Sequence, residues 1–187
     1  MTNATLSTPA RSATWKLDPS HAHVEFAVRH LMISKVRGQF TDVAGTLRLR
    51  DDDPAKAQLE VEIRAASVDT RVEQRDAHLR SADFLDTERF PTLTFRSKGT
   101  ERVGGDRLRM TGDLTIRDVS REVVLEVTQL GRVTDPWGGE RAGYAASTRI
   151  NRKDFGLTWN QALETGGVVV GDVVEITLEA EWILESE

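Results

Sequence analysis

Four histidines and one short run of ionisable residues are where this sequence could do chemistry. His21 and His23 stand two apart, the spacing that puts two imidazoles on one face of a strand and lets both meet one metal ion. Glu25 continues that face, but same-face positions run on along a strand and need not converge, so a centre here lacks its third ligand. The carboxylate also follows too closely for the cupin pattern. No metal is expected, and His21 reads as a hydrogen-bonding residue at a strand start. Arg75, Asp76 and His78 fall within one helical turn and form either an acid–base cluster or ordinary neighbours on a helix. His30 stands at the end of an apolar face, either as a buried, hydrogen-bonded imidazole or as a polar contact for a ligand head group. A glycine-rich phosphate loop, a nucleophile elbow and a serine hydrolase signature are all missing from the sequence. No catalytic residue and no cofactor are therefore assigned.

These residues must be positioned by strands. Val24, Phe26 and Val28 alternate with Glu25, Ala27 and Arg29, a period of two that marks a half-buried strand. Trp15 to Asp18 reads as a separate short strand ended by a turn at Asp18-Pro19-Ser20. Val36, Gly38 and Phe40, then Val43, Gly45, Leu47 and Leu49, read as a strand pair joined near Thr41-Asp42. The same alternation recurs from Ala57 to Ala65, at Leu93 and Phe95, from Leu108 to Ile116, from Val123 to Val127, from Ala142 to Ile150 and from Val174 to Leu184. One segment breaks it. Ser67 to Phe95 reads as a lid: Asp69-Thr70 as a cap, Arg75 to Ser81 as a short helix, and Phe84, Leu85 and Phe90 as apolar docking residues before Pro91.

Eight to ten strands on hairpin-length connections indicate an all-β antiparallel barrel or sandwich, and a barrel removes the exposed edges. The inward set includes Gly38, Gly45, Ala57, Ala65, Gly112, Ala142, Ala146 and Ala180. Such small side chains leave room for a guest in an eight-stranded barrel, unless the glycines mark bulges and larger residues fill the middle. If a guest is held, Phe26, Val28, Phe40, Leu47, Phe95, Met110, Gly112, Leu114 and Ile176 are the expected binding residues, with His30, Arg75, His78 and Phe84 around the mouth and lid. Glu25, Arg29, Thr115 and Glu175 are expected to face water.

The chain has 187 residues, no cysteine and a formal charge of −5. One domain over residues 13–187 is expected, after a disordered tail at 1–12 rich in Thr, Ser and Ala. Acidic and basic residues are interspersed, which argues against a nucleic-acid surface. The first residues lack a basic start followed by an apolar run, so cytoplasm is the expected compartment.

Several blocks together resemble the YceI family of lipocalin-like, polyisoprenoid-binding proteins. Trp15-Lys16-Leu17-Asp18, Val24 to His30, and Val36-Arg37-Gly38-Gln39-Phe40 are similar to the family's opening. Ser67-Val68-Asp69-Thr70, Arg75 to Ser81, Asp83-Phe84-Leu85-Asp86 and Phe90-Pro91 follow in its order, as do Gly112 to Ile116 and Arg152 to Leu157. His23 departs from the pattern, which often has a small polar residue there. The resemblance implies an extended antiparallel barrel of about eight strands with a helical lid, an isoprenoid lipid in the lumen, a head group near the mouth, and a homodimer. It implies no established catalysis. Such a protein is not membrane-embedded but would touch a membrane transiently to exchange lipid. The alternative is a metal- or acid/base-dependent enzyme acting on a small apolar substrate.

Overall fold

The computed structural model describes residues 12–162 and 167–185. The expected tail therefore lies outside the described residues except for Ser12, which begins the first strand. Ten strands and one α-helix follow in order: β1 (Ser12–His30), β2 (Ser34–Phe40), β3 (Val43–Arg50), β4 (Asp53–Arg64), β5 (Val68–Asp69), α1 (Glu73–Arg80), β6 (Thr92–Gly104), β7 (Arg107–Ile116), β8 (Val119–Thr134), β9 (Glu140–Asn151) and β10 (Val170–Leu184). Eight staves close on themselves as β1, β3, β4, β6, β7, β8, β9 and β10, each antiparallel to the next, with β10 paired back onto β1. The closed antiparallel barrel suits the alternating pattern, because closure pairs the staves that would otherwise be sheet edges.

Two local readings of the sequence need correction. Asp18-Pro19-Ser20 does not end a strand; it is an irregularity inside β1. Leu17 pairs with Trp182 and Ala22 with Ala180, so β1 uses five residues where β10 advances two. Proline is tolerated there because the excluded residues make no ladder bond. Likewise β2 and β3 are not a hairpin. Both run antiparallel to β1, β2 along residues 24–30 and β3 along 12–16, so they form two halves of one stave broken at Thr41-Asp42. At the break β2 turns aside to pair with β5, Gln39 with Asp69 and Phe40 with Val68.

The lid occupies the connection from β4 to β6. Its helix is Glu73–Arg80, and the residue that precedes it, Val72, makes no side-chain cap. The expected capping direction is reversed: the Thr70 N–H and hydroxyl both donate to Asp76 Oδ1, the N–H at 2.9 Å. Arg75 donates to Thr70 Oγ1 at 2.7 Å and to its carbonyl at 3.0 Å, and Arg80 donates to the carbonyls of Ala66 and Val68. A helix of two turns has little intrinsic stability in water, so these charge-assisted bonds hold it, together with Leu79, its one large apolar side chain.

Inside the barrel the inward glycines are not empty space. A Cβ on Gly38 would strike the Phe26 ring, one on Gly45 would lie 2.9 Å from Trp182, and one on Gly112 would lie 2.5 Å from both the Arg96 carbonyl oxygen and the Phe95 ring. Aromatic rings lie over the glycines and fill them. The core accordingly divides into two clusters. Trp15, Leu47, Leu49, Leu108, Met110, Leu125 and Trp182 pack one end, and Ala65, Phe84, Leu93, Ile116, Ile150, Phe155 and Leu157 pack the lid end.

Candidate functional site

Between those clusters the barrel encloses a cavity of about 200 Å³. Alternation supplies its wall: Phe26 and Val28 from β1, Phe40 from β2, Leu59, Val61 and Ile63 from β4, Leu93 and Phe95 from β6, Leu114 and Ile116 from β7, and Val174, Ile176 and Leu178 from β10. Val68, Leu79, Phe84 and Leu85 of the lid and Leu157 roof it. A second chamber of about 80 Å³ continues toward the other end, lined by Leu17, Leu47, Ala57, Met110, Ala146, Ala180 and Trp182 among others. Val24, Leu59, Val61, Leu125 and Leu178 border both chambers. The result is an elongated apolar space along the barrel axis.

Among the described residues, only Glu25, Thr148 and Arg152 are polar members of the larger wall. Arg152 is 3 % exposed, and its guanidinium is spent on main-chain carbonyls: Gly171 at 2.9 Å, Leu157 at 2.6 Å, Trp159 at 2.8 Å and Val170 at 3.4 Å. It thereby fastens the strap after β9, which has no strand partner of its own over residues 156–160. Burial pushes the guanidinium's pKa down, while the Asp172 carboxylate 3.7 Å away opposes the shift.

Lid and strap meet over the cavity. Trp159 lies 5.3 Å from Phe84 and 4.7 Å from His78 between ring centroids, and His78 lies edge-on to Phe84 at 5.0 Å. His78 Nε2 is 2.8 Å from the Asp83 carboxylate. Edge-to-face packing of this kind favours one arrangement of the roof over a loose one.

Of the residues expected to hold a guest, Phe26, Val28, Phe40, Phe84, Phe95, Leu114 and Ile176 line the larger chamber, and Leu47 and Met110 line the smaller. His30, Arg75, His78 and Gly112 are not on either wall. His30 lies one inward step beyond Val28, paired with Ser34 and Val170 at the end of β1. Arg75 is tied to Thr70 and His78 sits above Phe84, so the supposed acid–base trio serves the lid. Gly112 is buried under Phe95. The alternation of β4 marked Val61 and Ile63 as inward, whereas nothing periodic marks Leu157, Trp159 or Arg152.

His21 and His23 lie in the middle of β1, not at a strand start, and both are exposed on the outside of the barrel. His21 Nδ1 is 3.1 Å from Asp18 Oδ2, and ligand-type atoms of Asp18, His21 and Glu181 fall within 4.8 Å of one another. Arg141 occupies the middle of that group, its Nη1 donating to Asp18 at 2.8 Å and Glu181 at 3.0 Å while its Nε donates to Asp135 at 2.9 Å. A guanidinium so placed satisfies the carboxylates and repels a dication. It holds the Asp18 carboxyl at about 2, with smaller help from His21 and the Ser20 N–H. His23 pairs with Glu179 across β10 and takes no part.

Comparison with known proteins bears on this arrangement. The YceI-like domain family model matches residues 15–182. Protein YceI of Escherichia coli O157:H7 is 43 % identical over 150 residues, covering 79 % of this chain and 78 % of that protein. The crystal structure of the Campylobacter jejuni YCEI protein superposes with a TM-score of 0.71 at 33 % identity, covering 85 % of this chain and 90 % of that one. A structure described as a polyisoprenoid binding domain from Saccharophagus degradans, implicated in plant cell wall breakdown, shares the fold with a TM-score of 0.65 at 13 % identity, covering 91 % and 98 %.

Proposed function

The chain belongs to the YceI-like domain family, and on that premise we propose that it is a binding protein that carries or stores an isoprenoid lipid, an isoprenoid quinone or polyprenyl phosphate, in the barrel lumen. The observation that supports this is the elongated space whose wall, among the described residues, is apolar except at Glu25, Thr148 and Arg152 in the larger chamber and His23 and Tyr144 in the smaller. The polyisoprenoid binding described for the Saccharophagus degradans domain points the same way. Such a wall offers burial and no directional chemistry. At about 0.8 kcal/mol per buried methylene, each five-carbon unit brings about 4 kcal/mol before ordering costs are subtracted. Size sets the next constraint. A dry cavity of about 150 Å³ takes one benzene, so the chamber of about 200 Å³ takes only about eight carbons as it stands. A longer chain draws on the second chamber and on outward movement of lid and strap. Arg75 and Asp76 both hydrogen-bond to Thr70 within the lid, a bracing role that favours binding over catalysis.

The test is titration with a prenyl quinone, followed by quenching of Trp159 at the roof. Saturable uptake near one per chain is expected; absence of uptake, or turnover of the quinone, would refute the reading. We also propose a homodimer, supported by Leu130, Val133 and Trp137, exposed on β8 and the turn into β9. Light scattering checks it, with the mass of a single chain as the contrary result.

A further inference from the structure

The turn joining β1 to β2 is built from Leu31, Met32 and Ile33, which are 36 %, 57 % and 81 % exposed. Leu31 and Met32 have φ of 51° and 61°, the left-handed region that glycine and asparagine adopt readily and large apolar side chains do not. A turn serving only to reverse the chain would use those smaller residues. Here three bulky apolar side chains are held out to solvent in a strained backbone.

Their surroundings are cationic. Arg29 and Lys35 face each other across the strands just below the turn, Arg37 follows two residues on, and Arg149 stands in the same outward row across β10. Glu175 is a carboxylate among them, shared by Lys35 at 2.6 Å and Arg149 at 3.7 Å, while the nearby Asp172 is paired with Lys153 at 2.9 Å. Val173, 51 % exposed, adds an apolar side chain to this face. Among the described residues the cluster is positive, on a chain whose formal charge is −5.

The turn is also coupled to the roof of the cavity. The Leu31 N–H donates to the Val169 carbonyl at 2.9 Å, at the end of the strap that carries Leu157 and Trp159 over the lumen, and His30 pairs with Val170. Val28, two residues before His30, is already part of the wall.

We propose that the Leu31-Met32-Ile33 turn and the surrounding Arg29, Lys35, Arg37 and Arg149 form a docking surface for an anionic lipid membrane, the turn entering the apolar layer and the cations meeting phosphate head groups. The proposal deepens the lipid-carrier reading and rests on it for its purpose, since docking there lays the strap against the membrane beside the lumen. Apolar insertion and attraction to anionic head groups act together in such a surface, so binding requires both and weakens with salt.

The experiment is co-sedimentation of the full chain with vesicles of phosphatidylcholine, with and without phosphatidylglycerol, alongside prenyl quinone uptake in the absence of vesicles. The wild type is expected to sediment with phosphatidylglycerol-containing vesicles, and added salt should release it. Ile33→Asp should lower vesicle affinity at least tenfold with quinone uptake unchanged. Met32→Asn should weaken docking while raising the melting temperature, because asparagine relieves the left-handed residue. Wild-type protein that ignores anionic vesicles, or an Ile33→Asp variant that binds them equally well, overturns the proposal. So does a dimer that Ile33→Asp converts to monomer, for then the turn is covered by a second copy. Vesicle binding that follows these expectations in a protein taking up no quinone would support the docking surface and refute the lumen reading instead.

Discussion

Gly112→Ala is expected to destabilise the barrel and to leave lipid uptake in place. The new Cβ would lie 2.5 Å from the Arg96 carbonyl oxygen and 2.5 and 2.8 Å from two atoms of the Phe95 ring, where ordinary contact begins at 3.4 Å. The ring could turn, but the carbonyl belongs to β6 in the ladder beside Ser97 and Gly112, and it must withdraw by nearly an ångström. Overpacking of this kind costs about 2 kcal/mol, which in a protein of this size lowers the melting temperature by about 4–8 °C. Thermal unfolding followed by circular dichroism measures it, with Phe95→Leu in the same chain restoring only the part due to the ring. A Gly112→Ala protein as stable as the wild type, with prenyl quinone binding reduced, would show that Gly112 borders the ligand space and that its packing has been misread.

Leu114→Glu places a carboxylate in the apolar wall and should abolish quinone uptake while costing about 3 kcal/mol or more in urea unfolding; retained uptake would put the ligand elsewhere. Arg152→Leu orphans the carbonyls of Leu157, Trp159 and Gly171, each worth about 1–3 kcal/mol when buried, so protease should cut the strap first. Arg152→Lys should not rescue it, since an ammonium cannot reach this fan of carbonyls as a guanidinium does. Asp18, held at about 2 against an ordinary 3.8, contributes stability that is complete above about pH 4 and fades as pH falls through about 2. Asp18→Asn should flatten that limb of the stability curve; an unchanged acid limb would contradict the Arg141 bond.

Much of the barrel is legible because a period of two leaves each strand one workable burial pattern. That pattern placed Phe26, Val28, Leu114 and Ile176 on the wall without knowledge of their neighbours. It could not show that β2 and β3 share one stave, because a hairpin and a broken stave have the same alternation. Nor could it show that the inward glycines are filled, since the rings over them come from elsewhere: Trp182 covers Gly45 from the other end of the chain. Asp18, Asp135, Arg141 and Glu181 assemble across four segments, so spacing carried no trace of their network. Arg75, Asp76 and His78 were visible as a cluster, yet their chemistry depended on Thr70 and Phe84, which turned them into fasteners of the lid.

An isoprenoid chain in the lumen would leave the barrel on lipid extraction. Mass spectrometry of lipid extracted from the protein purified from its native host tests for it most directly, because a foreign host can load a surrogate. About one prenyl quinone or polyprenyl phosphate per chain is expected, absent from the Leu114→Glu protein prepared in the same way. A wild-type protein with no prenyl lipid, or one whose lipid persists in the Leu114→Glu variant, would contradict a lumen-bound isoprenoid.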